Sequence, residues 1–295
     1  MSDPLPRLPA LPASVQAGRL PGWDLSRTIH RTCPVCATEA ATAICRRPDG
    51  LEVSRCETCA MLYLADIPTD EELERFYVRY AGYKGYQPKG AIQSWLTSWL
   101  DPLVRILDTT GGVAGRSILE VGSSYGSFLE RCRRRGANSL GAVELDADAR
   151  AHLQRAGIRA EADVPEGAQW DVICAFQVLE HLTDPAAMVA KMAAALKPDG
   201  RLLLAVPNGG ETDITGPTWV GFRVDLEHLN YFSSKTLARL LSQHGLLVEQ
   251  FWLHTQPAIA RETSGGLARL VHKAAEWTRL VPTGTFVLTL LARRV

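Results

Sequence analysis

The stretch ILEVGSSYGSFLE, residues 118–130, decides how this chain folds. Ile118, Leu119 and Val121 form an apolar run of strand length, and Gly122 ends it. Tyr125, Phe128, Leu129 and Cys132 then recur at i, i+3, i+4 and i+7, the period of a helix. A strand that turns straight into a helix leaves the first backbone N–H groups of that helix free above the sheet, where they can hold a ligand. Gly122 permits a tight turn or a close ligand, and Gly126 lets the helix pass near it. The glycines are spaced G-x-x-x-G, with Ser123, Ser124 and Tyr125 between them. A dinucleotide fingerprint would be G-x-G-x-x-G, whose middle glycine admits a pyrophosphate. The spacing therefore opposes a nicotinamide-dependent oxidoreductase, although a glycine turn alone also fits other nucleotides or a purely structural bend.

Working outward, Leu140 to Leu145 reads as the next strand, and Glu144 near its end lies 22 positions after Gly122. A carboxylate there can accept both hydroxyls of a ribose. Downstream, apolar runs and helical periods alternate. A helix is expected over 147–156, a weak strand over 158–162, a strand over 171–176 and a helix over 185–196. Pro198-Asp199-Gly200 turns into a strand over 201–206; a helix over 233–244 and strands over 246–253 and 285–292 complete the chain. Such alternation implies an α/β domain, a parallel sheet with helices on both faces and ligands at the carboxyl ends of the strands.

The ordered motifs LEVGSSYG (119–126), VELD (143–146), WDVICAFQVLEHLTDP (170–185) and LKPDGRLLLAVPN (196–208) resemble those of class I S-adenosylmethionine-dependent methyltransferases. The resemblance covers about the C-terminal two-thirds of the chain. It implies a Rossmann-like, doubly wound sheet of seven strands with the last strand antiparallel. Carried over by position, it implies that Glu120, Gly122 and Gly126, with Ser123, Ser124 and Tyr125 between them, line the methionine end of S-adenosylmethionine. Glu144 would hold the ribose, with Leu145 beside it; Asp163 would flank the adenine, and Gln177 would sit near the methionine portion.

Methyl transfer to a hydroxyl or a carbon acid also needs a proton acceptor. Glu180-His181 follows the fourth strand, where an acceptor would lie; the plainer reading of His181 is a loop cap or packing beneath the cofactor. Glu227-His228 lies in DLEHLNYFSSKTL (225–237), which resembles the YHEHLSYFS segment of deoxysugar C-methyltransferases. Here Asp225 stands at the tyrosine position and Leu226 at the first histidine, which argues against assuming the sugar C-methylation reaction. His228 remains a candidate general base, because imidazole titrates near neutral pH, against the alternative of a loop histidine bonded to the backbone. Phe76, Tyr77, Tyr80, Tyr83 and Tyr86 are candidates for a lid over the acceptor or for packing of a connector.

Upstream, Cys33-x-x-Cys36 and Cys56-x-x-Cys59 are separated by nineteen residues, the spacing of a structural zinc ribbon. Four thiolates close the coordination shell, so the expected zinc ion has a folding role. The same CPVC and CETC pair precedes the sheet in the methyltransferases just named. The expected organisation is a Pro-rich disordered tail over 1–28, a zinc ribbon over 29–67, a helical connector or lid over 68–112, and the methyltransferase domain over 113–295.

Lys+Arg and Asp+Glu both number 32, so no global charge steers the chain toward nucleic acid or an anionic membrane. The ribbon carries Arg31, Arg46, Arg47 and Arg55 against Glu39, Asp49, Glu52, Glu57 and Asp66, a poor phosphate clamp. A zinc-ribbon RNA base methyltransferase is thus the second reading, and a non-catalytic protein retaining the cofactor fold is another. No apolar run reaches membrane-helix length and no export pattern opens the chain, so a cytoplasmic protein with no membrane association is expected. The expected partner is a small-molecule or glycan acceptor, methylated at a hydroxyl. The motifs place the chain near sugar C-methyltransferases and ubiquinone-biosynthesis-type methyltransferases.

Overall fold

The computed structural model describes residues 5–10, 21–79, 99–167, 170–210, 221–224, 226–256 and 285–295. Tyr80, Tyr83, Tyr86, Asp225 and the segment 257–284 lie outside the described residues.

The central layer is a seven-stranded sheet. Its strands are β6 (Ser117–Val121), β7 (Ser139–Val143), β8 (Arg159–Glu161), β9 (Trp170–Phe176), β10 (Leu196–Pro207), β12 (Leu246–Gln256) and β13 (Thr285–Arg294). They lie in the order β12-β13-β10-β9-β6-β7-β8. Strands β6 to β10 run parallel, and β13 is antiparallel to both β10 and β12. This is the doubly wound seven-stranded α/β fold with an antiparallel last strand. β10 starts earlier than the turn at 198–200 suggests, because Leu196 already pairs with Trp170 before the register shifts at Arg201.

Alternation along the strands builds two cores. Ile118, Val172, Cys174 and Phe176 face one layer with α2 (Leu100–Thr109), α3 (Ser127–Arg134) and α4 (Ala147–Arg155). Leu119, Val121, Ile173 and Ala175 face the other with α5 (Pro185–Ala195) and α6 (Ser234–Ser242). The helix starts follow local chemistry. Asp146 and Asp184 accept the N–H groups of Ala149 and Ala187, and Ser233 with Thr236 forms a capping box. Thr69 caps α1 (Asp70–Arg79), whose first turn holds Asp70, Glu71 and Glu72.

The cysteine module packs into the second core through Cys33, Val35, Cys56, Met61 and Tyr63. It consists of β1 (Thr28–His30) paired with β5 (Asp66–Pro68), and a sheet of β2 (Ala41–Arg46), β3 (Glu52–Cys56) and β4 (Leu62–Leu64). A fourth strand of that sheet, β11 (Asn230–Tyr231), comes from far along the chain and pairs with β4. The segment expected to be a disordered tail is anchored at two points where it is described, its other described residues being exposed or half-buried. Leu8 and Trp23 are 5% and 8% exposed, and Pro6 and Leu8 bond to Arg46 on the edge of β2. A proline-rich run is already extended, so lying along a strand edge costs it little further entropy. Among the described residues no helix is long and apolar enough to cross a membrane.

Candidate functional site

The turn after β6 has the backbone that its glycines foretold. Gly122 and Gly126 have φ of 75° and 76°, and Ser124 between them is also left-handed at 48°. A Cβ on Gly122 would stand 2.5 Å from Val178 Cγ2, so only glycine fits there. Gly126 caps α3 without a side chain. Ser123 is buried, Tyr125 is half-buried with its ring edge-on to His152 at 5.4 Å, and Ser124 is exposed.

Glu144 follows β7 and faces this turn. Its Oε2 accepts the Ser124 N–H at 2.7 Å and its Oε1 the Asp146 N–H at 3.0 Å. Glu120, at the end of β6, is buried, and its Oε2 has no hydrogen-bond partner. Burial first and the nearby Glu144 second hold its carboxyl well above the usual carboxylate range. Leu145, next to Glu144, is a large apolar side chain left 79% exposed. Gln177 follows β9 with φ of 56° and is tied to β10 by its N–H to the Ala205 carbonyl at 2.8 Å. These features fit S-adenosylmethionine. An ammonium would satisfy the unpartnered Glu120 Oε2, a ribose diol would match the Glu144 carboxylate, and an adenine would cover Leu145. Asp163 lies on the loop after β8, exposed, and its carboxylate pairs with Lys191 of α5.

Past the carboxyl end of β9 the two predicted histidines meet. The short 3-10 helix Leu179–His181 carries one and the segment before β11 the other. Their rings are edge to face with centroids 4.7 Å apart. Burial pushes His181 down to about 4, a backbone hydrogen bond with Glu227 acting the other way. Burial also holds His228 well below the usual histidine value, with His181 and Arg47 adding to the effect. Both rings are therefore neutral at pH 7. Tyr77 Oη lies 3.3 Å from His181 Nδ1, whereas His228 Nδ1 is buried without a partner. Ligand atoms of Glu180, His181 and His228 all lie within 4.8 Å of one another, a grouping able to share a proton or hold a cation.

The four cysteines of the two knuckles also converge, with their sulfurs within 4.8 Å of one another. Cys33 and Cys59 sulfurs are 3.5 Å apart, as are those of Cys36 and Cys56. A tetrahedral zinc tetrathiolate with Zn–S near ~2.3 Å has sulfurs a little under ~4 Å apart, so the cluster fits zinc. Each knuckle closes alike: Ala37 N–H bonds Cys33 O and Ala60 N–H bonds Cys56 O, and both alanines have positive φ.

Two arginines that sequence reading treated only as charge bind this module to the histidine segment. Arg31 donates to the carbonyls of Leu64, Thr183 and Leu229 and to Asn230 Oδ1. Arg47 is wholly buried, donating to the carbonyls of Leu226 and His228. Asn230 Nδ2 in turn donates to the carbonyls of Leu179 and Leu182. The available signal was the turn Arg47-Pro48-Asp49-Gly50, which closes the hairpin of β2 and β3.

The fold and the turn together define a class I methyltransferase domain, whose cofactor is S-adenosylmethionine. The family described as a methyltransferase domain matches residues 92–250, more than half of the sequence, and the chain belongs to that family. Among curated proteins it is similar to a ubiquinone biosynthesis O-methyltransferase of Acinetobacter baumannii. The two are 27% identical over 135 residues, covering 42% of this chain and 54% of that protein. The protein of the same name from Sodalis glossinidius is 32% identical over 115 residues, covering 35% and 46%. The chain thus spans about half the length of the curated relatives it matches. In fold it is similar to magnesium protoporphyrin IX methyltransferase from Synechocystis PCC 6803 with bound SAH. The TM-score is 0.51 at 14% identity, covering 77% of this chain and all of that one.

Proposed function

We propose that this protein methylates a hydroxyl group of a small polar metabolite, a sugar, glycan or secondary metabolite, in the cytoplasm. The observation that carries this reading is the His181–His228 pair. Two imidazoles that desolvation keeps neutral stand edge to face past the carboxyl end of β9, His228 buried and His181 half-buried. The relatives' O-methyltransferase names support the acceptor atom.

When bound, S-adenosylmethionine supplies a methyl group on a sulfonium centre, open to attack by an oxygen nucleophile. Glu120 takes the ammonium of its methionine end, within the turn formed by Gly122, Ser123, Ser124, Tyr125 and Gly126. Glu144, whose Oε2 accepts the Ser124 N–H, would take the ribose hydroxyls. Leu145 covers one face of the adenine, Asp163 flanks it, and Gln177 lies by the methionine chain. On the acceptor side His228 takes the hydroxyl proton. The ring is unprotonated and so able to accept at pH 7, although the burial that excludes competing water also lowers its proton affinity below that of a free imidazole. His181, held by Tyr77 and by the backbone of Glu227, packs edge to face on His228 and fixes the orientation of that ring. Zinc, held by Cys33, Cys36, Cys56 and Cys59, keeps the ribbon folded.

The test is formation of demethylated cofactor from labelled S-adenosylmethionine over a panel of hydroxylated acceptors. With an acceptor that turns over, His228→Asn is expected to lower kcat by roughly 10²–10⁴-fold. Affinity for S-adenosylhomocysteine should stay within about twofold. Unchanged turnover in both His228→Asn and His181→Asn overturns the assignment of the base.

A further inference from the structure

Arg47 lies in the turn of the cysteine module, yet all five of its N–H donors are engaged and three of them leave the module. Nε and one Nη2 hydrogen bond go to the Asp49 carboxylate. The other Nη2 bond reaches Leu226 O at 2.5 Å, and Nη1 reaches His228 O at 2.7 Å and Tyr231 Oη at 2.6 Å. Arg47 and Asp49 side chains are 0% and 1% exposed. A buried ion pair of this kind is a poor way to stabilise a fold, since apolar residues of the same volume commonly do as well or better. Its value lies in geometry: a rigid planar fork fixes several acceptors in one plane.

The same pair also reaches the second histidine. Asp49 Oδ2 accepts from Trp23 Nε1 at 3.0 Å. Trp23 packs on Phe76 with centroids 5.1 Å apart, Phe76 on Tyr77 at 5.4 Å, and Tyr77 Oη meets His181 Nδ1. One ion pair thus grips the backbone of His228 from one side and, through three aromatic rings, the ring of His181 from the other. The two branches close where Leu229 N–H bonds Glu180 O at 2.7 Å.

We propose that Arg47, with Asp49, is a positioning residue that sets the relative orientation of the His228 and His181 rings, so that the cysteine module serves as the mount of the acceptor-side base. This rests on the reading of those rings as the proton-handling pair.

The experiment uses the full zinc-loaded chain, labelled with 15N in its histidines, and reads the imidazole nitrogen shifts at pH 7. His228→Asn and His181→Asn spectra assign the signals. Three variants follow: Arg47→Lys, the paired change Arg47→Met with Asp49→Leu, and Trp23→Phe. The expected results are a changed tautomer or exchange broadening of His228 in both Arg47 variants, and of His181 alone in Trp23→Phe. S-adenosylhomocysteine should bind within about twofold of the parent by calorimetry, because the cofactor turn lies elsewhere. Arg47→Lys should restore part of what the paired change loses, as a single donor still reaches the His228 carbonyl. Imidazole signals identical to the parent in Arg47→Lys overturn the proposal, whatever the paired change does to folding. The nitrogen shifts need no acceptor and no turnover, so failure of the catalytic reading would appear separately, as transfer insensitive to His228→Asn.

Discussion

The imidazoles of His181 and His228 stand edge to face at 4.7 Å although they are 47 positions apart in the sequence. Neither ring is positioned by its own neighbours in the chain alone. His181 is carried by the loop leaving β9, and His228 by a segment that becomes a strand of the cysteine module's sheet.

Two neutral imidazoles, His228 buried and His181 half-buried, make stability depend on pH in a definite direction. In the unfolded chain a histidine takes a proton near ~6.5, whereas His181 does so in the folded protein only at about 4, and His228 is also depressed. Unfolding therefore takes up protons as pH falls. The stability present above ~6.5 is lost progressively toward the folded value, on the order of 2–3 kcal/mol for His181 by about pH 4.5. Urea denaturation between pH 7.5 and about 4.5 should show this loss, and the His181→Asn, His228→Asn double variant should flatten it. Equal slopes in parent and variant would contradict neutral burial.

Glu144 is the carboxylate expected to grip the nucleoside, and it already bonds the Ser124 N–H at 2.7 Å. Glu144→Gln keeps the shape but loses the charge that makes such hydrogen bonds strong. Affinity for S-adenosylhomocysteine should fall about tenfold or more by calorimetry. Leu145→Asp should weaken the same binding while leaving the melting temperature nearly unchanged, because that side chain is exposed. Parent-like affinity in both variants would move the cofactor elsewhere.

At Gly122 the backbone and the space above it both forbid a side chain, with Val178 Cγ2 2.5 Å from a Cβ there. Gly122→Ala should cost roughly 1–3 kcal/mol by chemical denaturation. Adding Val178→Ala should recover the steric part of that loss but not the part due to positive φ. A double-mutant cycle separates the two, and strict additivity would show that Val178 is not the obstacle.

The cysteine module should hold about one zinc ion per chain by elemental analysis. Removing it with a chelator, or substituting Cys36→Ser, should lower the melting temperature by roughly 10 °C or more, because metal binding and folding of such modules are one equilibrium. Full stability in the metal-free chain would show that the converging sulfurs are an ordinary buried cluster.

The cofactor half of the molecule was legible in the sequence. Strand, glycine turn, helix and the acid closing the next strand are set by residues close to one another, and the φ angles at Gly122 and Gly126 follow from residue type. The cysteine spacing was legible for the same reason, since each knuckle is a local loop. Leu145 and Gln177 stand just past the ends of β7 and β9, where counting along the chain puts them.

Arg47 and Arg31 were invisible as anything but charge. An arginine's role depends on which carbonyls surround it, and here those belong to Thr183, Leu226, His228 and Leu229, far away in the chain. Likewise Asn230-Tyr231 gives no sign of joining β4, because two residues carry no period to read.

By itself, then, the chain's order of residues determined a nucleoside-binding α/β sheet and a four-cysteine module, since both are written in short-range periodicity and spacing. Only the tertiary structure decided that the module supplies the wall against which the two histidines are set. That result depends on backbone carbonyls, which every residue possesses and no sequence pattern distinguishes.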